Sequence, residues 1–141
     1  MYLVLMAMLA LNVSSDVLNG FSLVSDSLNK STQNASHVNN DIYNTFEEQM
    51  KSNPAKVKQW YDKSQKVKEM SNNLFNLADE LKLAIVKEAD GEDGDVRNIR
   101  NKEDLEAAAQ VMLSPNKGRG KELYDAINAY RSAMLGNGDR L

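Results

Sequence analysis

The feature that most constrains this chain is the near absence of helix breakers from its first half. Before Pro54, only Gly20 interrupts a composition that suits a helix, and Gly and Pro are the residues that most weaken a helix interior. Most apolar residues of this stretch also recur in alternating steps of three and four, the spacing of a packed helical face. They are Val17, Phe21, Val24, Leu28, Ala35, Val38 and Ile42, with Ser31 filling one gap, and Phe46 and Met50 extend the stripe in steps of four. We therefore predict one helix that continues to about Lys51.

A second long helix is predicted directly after the first. Asn53 and Pro54 have the chemistry of a cap and a first helical residue, and Gly91 is a natural stop after Asp90. The same alternating steps connect Val57, Trp60, Ser64, Val67, Ser71, Leu74, Ala78, Leu81 and Ile85. Two helices of similar length with a short link predict an antiparallel hairpin about 55 Å long.

The remainder predicts a polar loop and two shorter helices. Asn101 and Asp104 resemble a capping box, with Asp in place of the usual Glu, at the start of a helix over about residues 102–113. A break at 115–120 precedes a last helix over about residues 120–135, with an apolar stripe of Leu123, Ile127, Tyr130 and Met134. The predicted fold class is all-α: a membrane helix at 1–13 that continues into an elongated bundle of about four helices at 14–135. Residues 136–141 are expected to be a linker toward further domains.

Composition excludes several classes of function. Aromatic residues make up only 6% of the chain and no strand pattern emerges, which favours helices. The net charge of -3, with basic and acidic residues interspersed, argues against a nucleic-acid partner. The absence of cysteine excludes disulfides, thiolate metal sites and cysteine nucleophiles.

The first thirteen residues are almost wholly apolar, with Asn12 as the one strongly polar side chain. As a helix they span about 20 Å, whereas a bilayer needs roughly 20 residues. A signal peptide lacks support because no basic region or cleavage site is present. A buried core helix is a second alternative, although the run has no polar face. We favour a transmembrane helix whose start lies upstream of Met1.

No group of residues in the sequence supports catalysis. His37 is the only histidine and lies off the apolar stripe, so it is expected to face solvent. The acidic loop at 90–95 does not match the spacing of calcium ligands in either register, and residues 117–121 depart from a phosphate-binding loop. We predict no enzyme activity, no metal and no cofactor. Trp60 and Tyr61 are expected to lie in the core, with partner binding as the alternative.

Several stretches resemble one known family. MYLVLMAMLALNVSSDVLNGF resembles the transmembrane segment of GldM/PorM proteins of the type IX secretion system. VKQWYDKSQKVKEMSNNL, ADGEDGDVRNIRNKEDLEAA and GKELYDAINAYR continue the resemblance over essentially the whole chain. It implies a single-pass subunit of the inner membrane, with the bulk of the chain in the periplasm. It also implies a homodimer whose membrane helices lie inside a ring of a GldL-type protein, in a motor driven by the proton-motive force.

The resemblance also suggests which residues contact partners. By their spacing Tyr2, Leu3, Met6 and Leu9 share one helical face, which is expected to contact the ring or the sister helix. Gly20 is either a hinge or a position of close helix packing, and we favour packing. The family's basic stretch would precede Met1, and its β-rich domains would follow Leu141. A periplasmic four-helix sensor domain of a membrane receptor is the alternative function.

Overall fold

The structure is a computed structural model that describes the backbone of residues 1–138 and their side chains, except those of 10–15, 137 and 138. It contains four α-helices: α1 (Tyr2–Ser52), α2 (Pro54–Asp90), α3 (Ala107–Leu113) and α4 (Gly120–Gly138). Within the described residues there is no β-strand, and an isolated bridge between Asp95 and Asn98 only closes a turn. The predicted all-α fold class is confirmed.

The chain divides into two units, Met1–Val57 and Lys58–Leu141. The first unit is dominated by α1, a helix of 51 residues that extends about 75 Å at 1.5 Å per residue. Three of its hydroxyl groups are satisfied locally, because Ser27, Thr32 and Thr45 donate to backbone carbonyls four residues earlier. The predicted single helix over the first half of the chain is therefore confirmed.

The apolar stripe of α1 is largely uncovered. Six of its large side chains are half or more exposed: Val17, Phe21, Val24, Leu28, Val38 and Ile42. Phe46 and Met50, near the end of the helix, are only partly exposed. A helical face of this composition normally packs against another element. Because the described residues leave most of the stripe exposed, it is available for such packing.

α2 begins and ends at the residues that the sequence predicted. Asn53 ends α1 by donating its backbone N–H to the Gln49 carbonyl at 2.8 Å, and Pro54 is the first residue of α2. Gly91 ends α2 in the left-handed region at φ 93°, with its N–H donating to the Lys87 carbonyl at 2.9 Å. This φ favours glycine because a Cβ is strained there.

In the second unit, α2 and α4 lie antiparallel. Arg119, just before α4, binds Glu80, while Tyr130 further along α4 hydrogen-bonds Ser71, nearer the start of α2. The most buried apolar side chains lie at the end of this pair that also contains α3. They are Leu81, Val86 and Ala107, each less than 5% exposed.

The predicted start of the third helix is wrong. α3 begins at Ala107, whereas residues 102–106 form turns and bends. The reason is that Asn101 is engaged elsewhere: its backbone N–H donates to Asp90 at 2.7 Å and its side-chain amide to the Ala89 carbonyl at 3.4 Å. Asp104 takes over the capping role, because its carboxylate accepts the N–H groups of Glu106 and Ala107 at 2.9 and 3.0 Å.

The last helix begins at Gly120 as predicted and ends at Gly138, three residues beyond the expected end. The expected linker at 136–141 therefore overlaps α4, and residues 139–141 lie outside the described part of the chain. The α1–α2 hairpin and the four-helix bundle stay predictions.

Gly94 offers a test of the packing beneath the loop that follows α2. A Cβ at this position would lie 2.9 Å from the Val86 carbonyl oxygen and 3.1 Å from Val86 Cγ1. Because Val86 is buried, Gly94→Ala should lower the free energy of unfolding by about 1–3 kcal/mol, measured by urea denaturation. The control is Gly136→Ala, where a Cβ would meet nothing within 4 Å. It should be neutral or stabilising by up to about 1 kcal/mol, and equal losses for both variants would contradict the packing described.

Candidate functional site

The predicted partner-contact residues all lie in the first turns of α1. Tyr2, Leu3, Met6 and Leu9 are exposed by between 55% and 82%. The opposite side of these turns is equally apolar and equally exposed, with Val4, Leu5 and Met8. The start of α1 therefore has no polar face, and such a helix is normally surrounded by lipid or by other protein. Among the described residues, no helix combines the length and the apolar character needed to cross a bilayer.

Gly20 lies within the continuous part of α1. A Cβ at this position would meet no atom within 4 Å, so the helix surface here is open. A glycine in such a place gives a second helix close access to the backbone. The helix continues through Gly20, but this continuity does not distinguish the hinge from the packing role, and both stay predictions.

The loop after α2 is held by a charged clasp around Asp90. The Asp90 carboxylate accepts the backbone N–H groups of Arg100 at 2.8 Å and Asn101 at 2.7 Å. The Arg100 guanidinium binds both oxygens of the Asp93 carboxylate, at 2.8 and 3.1 Å, and donates to the Asp90 carbonyl at 2.8 Å. The clasp joins the end of α2 to the chain ten residues later and fixes where the segment leading to α3 begins.

These contacts change the acidity of both carboxyl groups. The backbone N–H groups of Arg100 and Asn101 lower the pKa of Asp90 below its ordinary value. The hydrogen bonds and charge of the Arg100 side chain lower the pKa of Asp93. Both contacts favour the ionised carboxylate. In this acidic loop the carboxylates of Asp90 and Asp93 therefore bind backbone amides and a guanidinium of the same chain.

A second charged cluster fixes the start of α4. The Arg119 guanidinium binds Glu80 of α2 at 2.7 Å and Glu122 of α4 at 2.8 Å. The hydrogen bond with Arg119 lowers the pKa of Glu122, and the two carboxylates raise the pKa of Arg119. The predicted break before the last helix extends to Arg119, and this arginine has a carboxylate partner on each of α2 and α4.

The described side chains do not form a cluster of metal ligands. No group of three or more potential metal ligands among them is close enough to hold an ion. His37 is exposed, as expected, and lies 3.1 Å from the Asp41 carboxylate one turn later. The placement of Trp60 in the core is wrong: this side chain is 48% exposed, whereas the neighbouring Tyr61 is partly buried.

Comparison with models of known protein families identifies the family to which this chain belongs. The model of the GldM N-terminal domain matches residues 16–139. The chain belongs to the GldM family. GldM proteins are components of the gliding motility and type IX secretion machinery, and they are membrane-associated with a periplasmic domain. Comparison with curated proteins finds no significant match.

The matched region places the structural features relative to the GldM domain. It includes Gly20, the stripe of α1, the Asp90 clasp and the Arg119 cluster, but not the face formed by Tyr2, Leu3, Met6 and Leu9. The family was recognisable from the sequence, but the pairing of Arg100 and Arg119 with specific carboxylates was not predicted. The only local signal was the (i, i+3) spacing of Arg119 and Glu122, because the other partners are distant along the chain.

The clasp should make the loop sensitive to acid. A folded-state pKa below the unfolded value adds stability that is fully present above about pH 4 and is lost as the pH falls through the folded pKa. Asp90→Asn should reduce this acid dependence, with the contribution of Asp93 remaining, and accelerate amide hydrogen exchange at Arg100 and Asn101, measured by NMR between pH 3 and 7. Glu103→Gln is the control, since it removes an exposed carboxylate near the loop. Unchanged protection in Asp90→Asn would show that the carboxylate does not hold the loop.

Proposed function

We propose that this chain is a non-enzymatic, membrane-anchored subunit of a motor driven by the proton-motive force. It would couple motion at the inner membrane to the type IX secretion and gliding machinery through its periplasmic helical domain. The observation that carries the proposal is the unbroken course of α1 from the apolar first turns to Ser52. The family match supplies the machinery to which the motion would be passed.

A continuous helix suits the transmission of force. Every turn of α1 is linked to the next by backbone hydrogen bonds, and a helix bends sharply only where that ladder is interrupted. Within the described residues α1 contains no proline, and the hydroxyls of Ser27, Thr32 and Thr45 bond to carbonyls of the helix itself. A displacement or rotation at the apolar end would therefore be delivered about 75 Å away instead of being absorbed by a loop.

Two exposed surfaces of α1 support the proposed partners. The first is the apolar start, where Tyr2, Leu3, Met6 and Leu9 would contact a GldL-type ring or the sister helix in a single-pass inner-membrane arrangement. The second is the stripe from Val17 to Ile42, whose spacing is that of a two-stranded helical seam. Its exposure in a single chain supports a homodimer in which two copies of α1 lie side by side.

Charged substitutions at the apolar start test the partner contact. Met6→Asp or Leu9→Asp would place an unpaired carboxylate on a surface expected to be surrounded by lipid or protein, which costs several kcal/mol. We expect loss of co-purification with the GldL-type protein from detergent extracts. Ser25→Asp, which adds the same charge at another exposed position of α1, should leave the complex intact. A normal amount of complex with both Met6→Asp and Leu9→Asp would disprove the contact.

A kink in α1 tests the transmission of motion. Asn34 is exposed and lies beside the apolar stripe, not on it. In the full-length protein Asn34→Pro should break the hydrogen-bond ladder, at a cost of about 3 kcal/mol or more, and abolish gliding and secretion while the GldL-type partner still co-purifies. Asn34→Ala is the matched control. Normal cell movement and normal secretion with the proline variant, at equal protein levels, would refute the proposal that α1 transmits motion.

A further inference from the structure

Lysine is concentrated in one stretch of the chain. Residues 51–68 contain six of the seventeen lysines and arginines but only one of the twenty acidic residues, Asp62. The whole-chain charge of -3 conceals this concentration, because acidic residues elsewhere offset it. The stretch includes the first turns of α2, so its charge is carried by a regular helix with defined side-chain directions.

Three of the lysines in the first turns of α2 are not held by a carboxylate of the described residues. Lys58, Lys63 and Lys66 make no ion pair within the described residues, and Lys58 and Lys66 are exposed. Elsewhere in the same unit, Lys82, Lys87 and Lys121 each bind a carboxylate, at 2.6 to 3.2 Å. The charges of these three lysines are therefore available to another molecule, whereas Lys82, Lys87 and Lys121 are already paired.

Trp60 lies in the middle of these lysines. Its side chain is 48% exposed, and the Lys63 ammonium lies 5.0 Å from the centre of its ring. This distance is within the range of a cation–π contact. At 100° per residue, Lys58, Lys66, Lys63 and Trp60 follow one another around about 200° of the helix surface, with the exposed Asp62 between Lys58 and Lys66. Tryptophan is among the residues that most often anchor a protein interface, and the neighbouring lysines place positive charge beside it.

We propose that this basic surface, formed by Lys58, Trp60, Lys63 and Lys66, binds an acidic segment of another protein. The lysines attract carboxylates, and Trp60 contributes an apolar contact that orients the segment. A nucleic acid fits less well because the lysines extend only about 12 Å along the helix and do not form a stripe that follows a backbone. A membrane surface fits less well because Trp60 is the one large apolar side chain among them. The proposal does not depend on the proposed function.

The single tryptophan of the chain reports binding at this surface directly. A fluorescein-labelled 16-residue poly-glutamate peptide serves as the probe for the full chain. We expect saturable binding by fluorescence anisotropy, a change in Trp60 emission, and weaker binding as salt rises from 50 to 300 mM. Replacing the three lysines by glutamine should weaken binding about tenfold, since each exposed charge pair contributes modestly. Replacing them by arginine should preserve it.

Two control variants separate this surface from general electrostatic attraction. Combined glutamine substitutions at Lys82, Lys102 and Lys117 remove the same charge elsewhere and should leave binding within twofold. Phe75 is also on α2 and 50% exposed, so Phe75→Ala is the control for Trp60→Ala, which should weaken binding severalfold. Equal loss in the two lysine triples would overturn the proposal. Tighter binding to phosphatidylglycerol vesicles or to a 16-residue oligothymidylate than to the peptide would also overturn it.

Discussion

The continuity of the backbone hydrogen bonds in α1 is the constraint on which the rest of the structure depends. A helix of 51 residues has side chains on all sides, and one chain of this size has few elements with which to cover them. The hydroxyls of Ser27, Thr32 and Thr45 bond to the helix itself, and the exposed apolar stripe is the surface with most to gain from contact. A helix of this length is stiff, and its apolar stripe stays exposed. This stripe is the surface through which we propose that a second copy of the chain packs.

The second unit is stabilised by different means. Its most buried side chains are few, namely Leu81, Val86 and Ala107. The Asp90 clasp and the Arg119 cluster are exposed, and exposed ion pairs contribute little stability individually. Their value lies in geometry: Arg119 fixes α4 against α2, and Asp90 fixes the point at which the chain leaves α2. Charged contacts therefore set the arrangement of elements around a small core that supplies most of the stabilisation.

The sequence predicted α1 and α2 closely because their ends depend on local chemistry. Pro54 begins a helix through its fixed φ, and Gly91 ends one through its positive φ, so neither needs information from distant residues. The start of α3 was wrong because Asn101 is recruited by Asp90, eleven residues earlier, a competition that a capping pattern does not show. Trp60 was assigned to the core because periodicity identifies a helical face but not how far along the helix that face is covered. The basic surface around it was missed because charge was counted over the whole chain.

The physical cost of Gly20 bears on its role in the GldM domain. Glycine in a helix interior is less favourable than alanine by about 1 kcal/mol, a small loss relative to the many hydrogen bonds of α1, and the helix remains continuous there. A hinge would require the ladder to open at this point, with the loss of several bonds at once. Close packing requires only that the side chain be absent, and the open space around Gly20 satisfies that requirement. Close packing with a second helix stays our prediction for Gly20, because it would cost the helix less than a hinge.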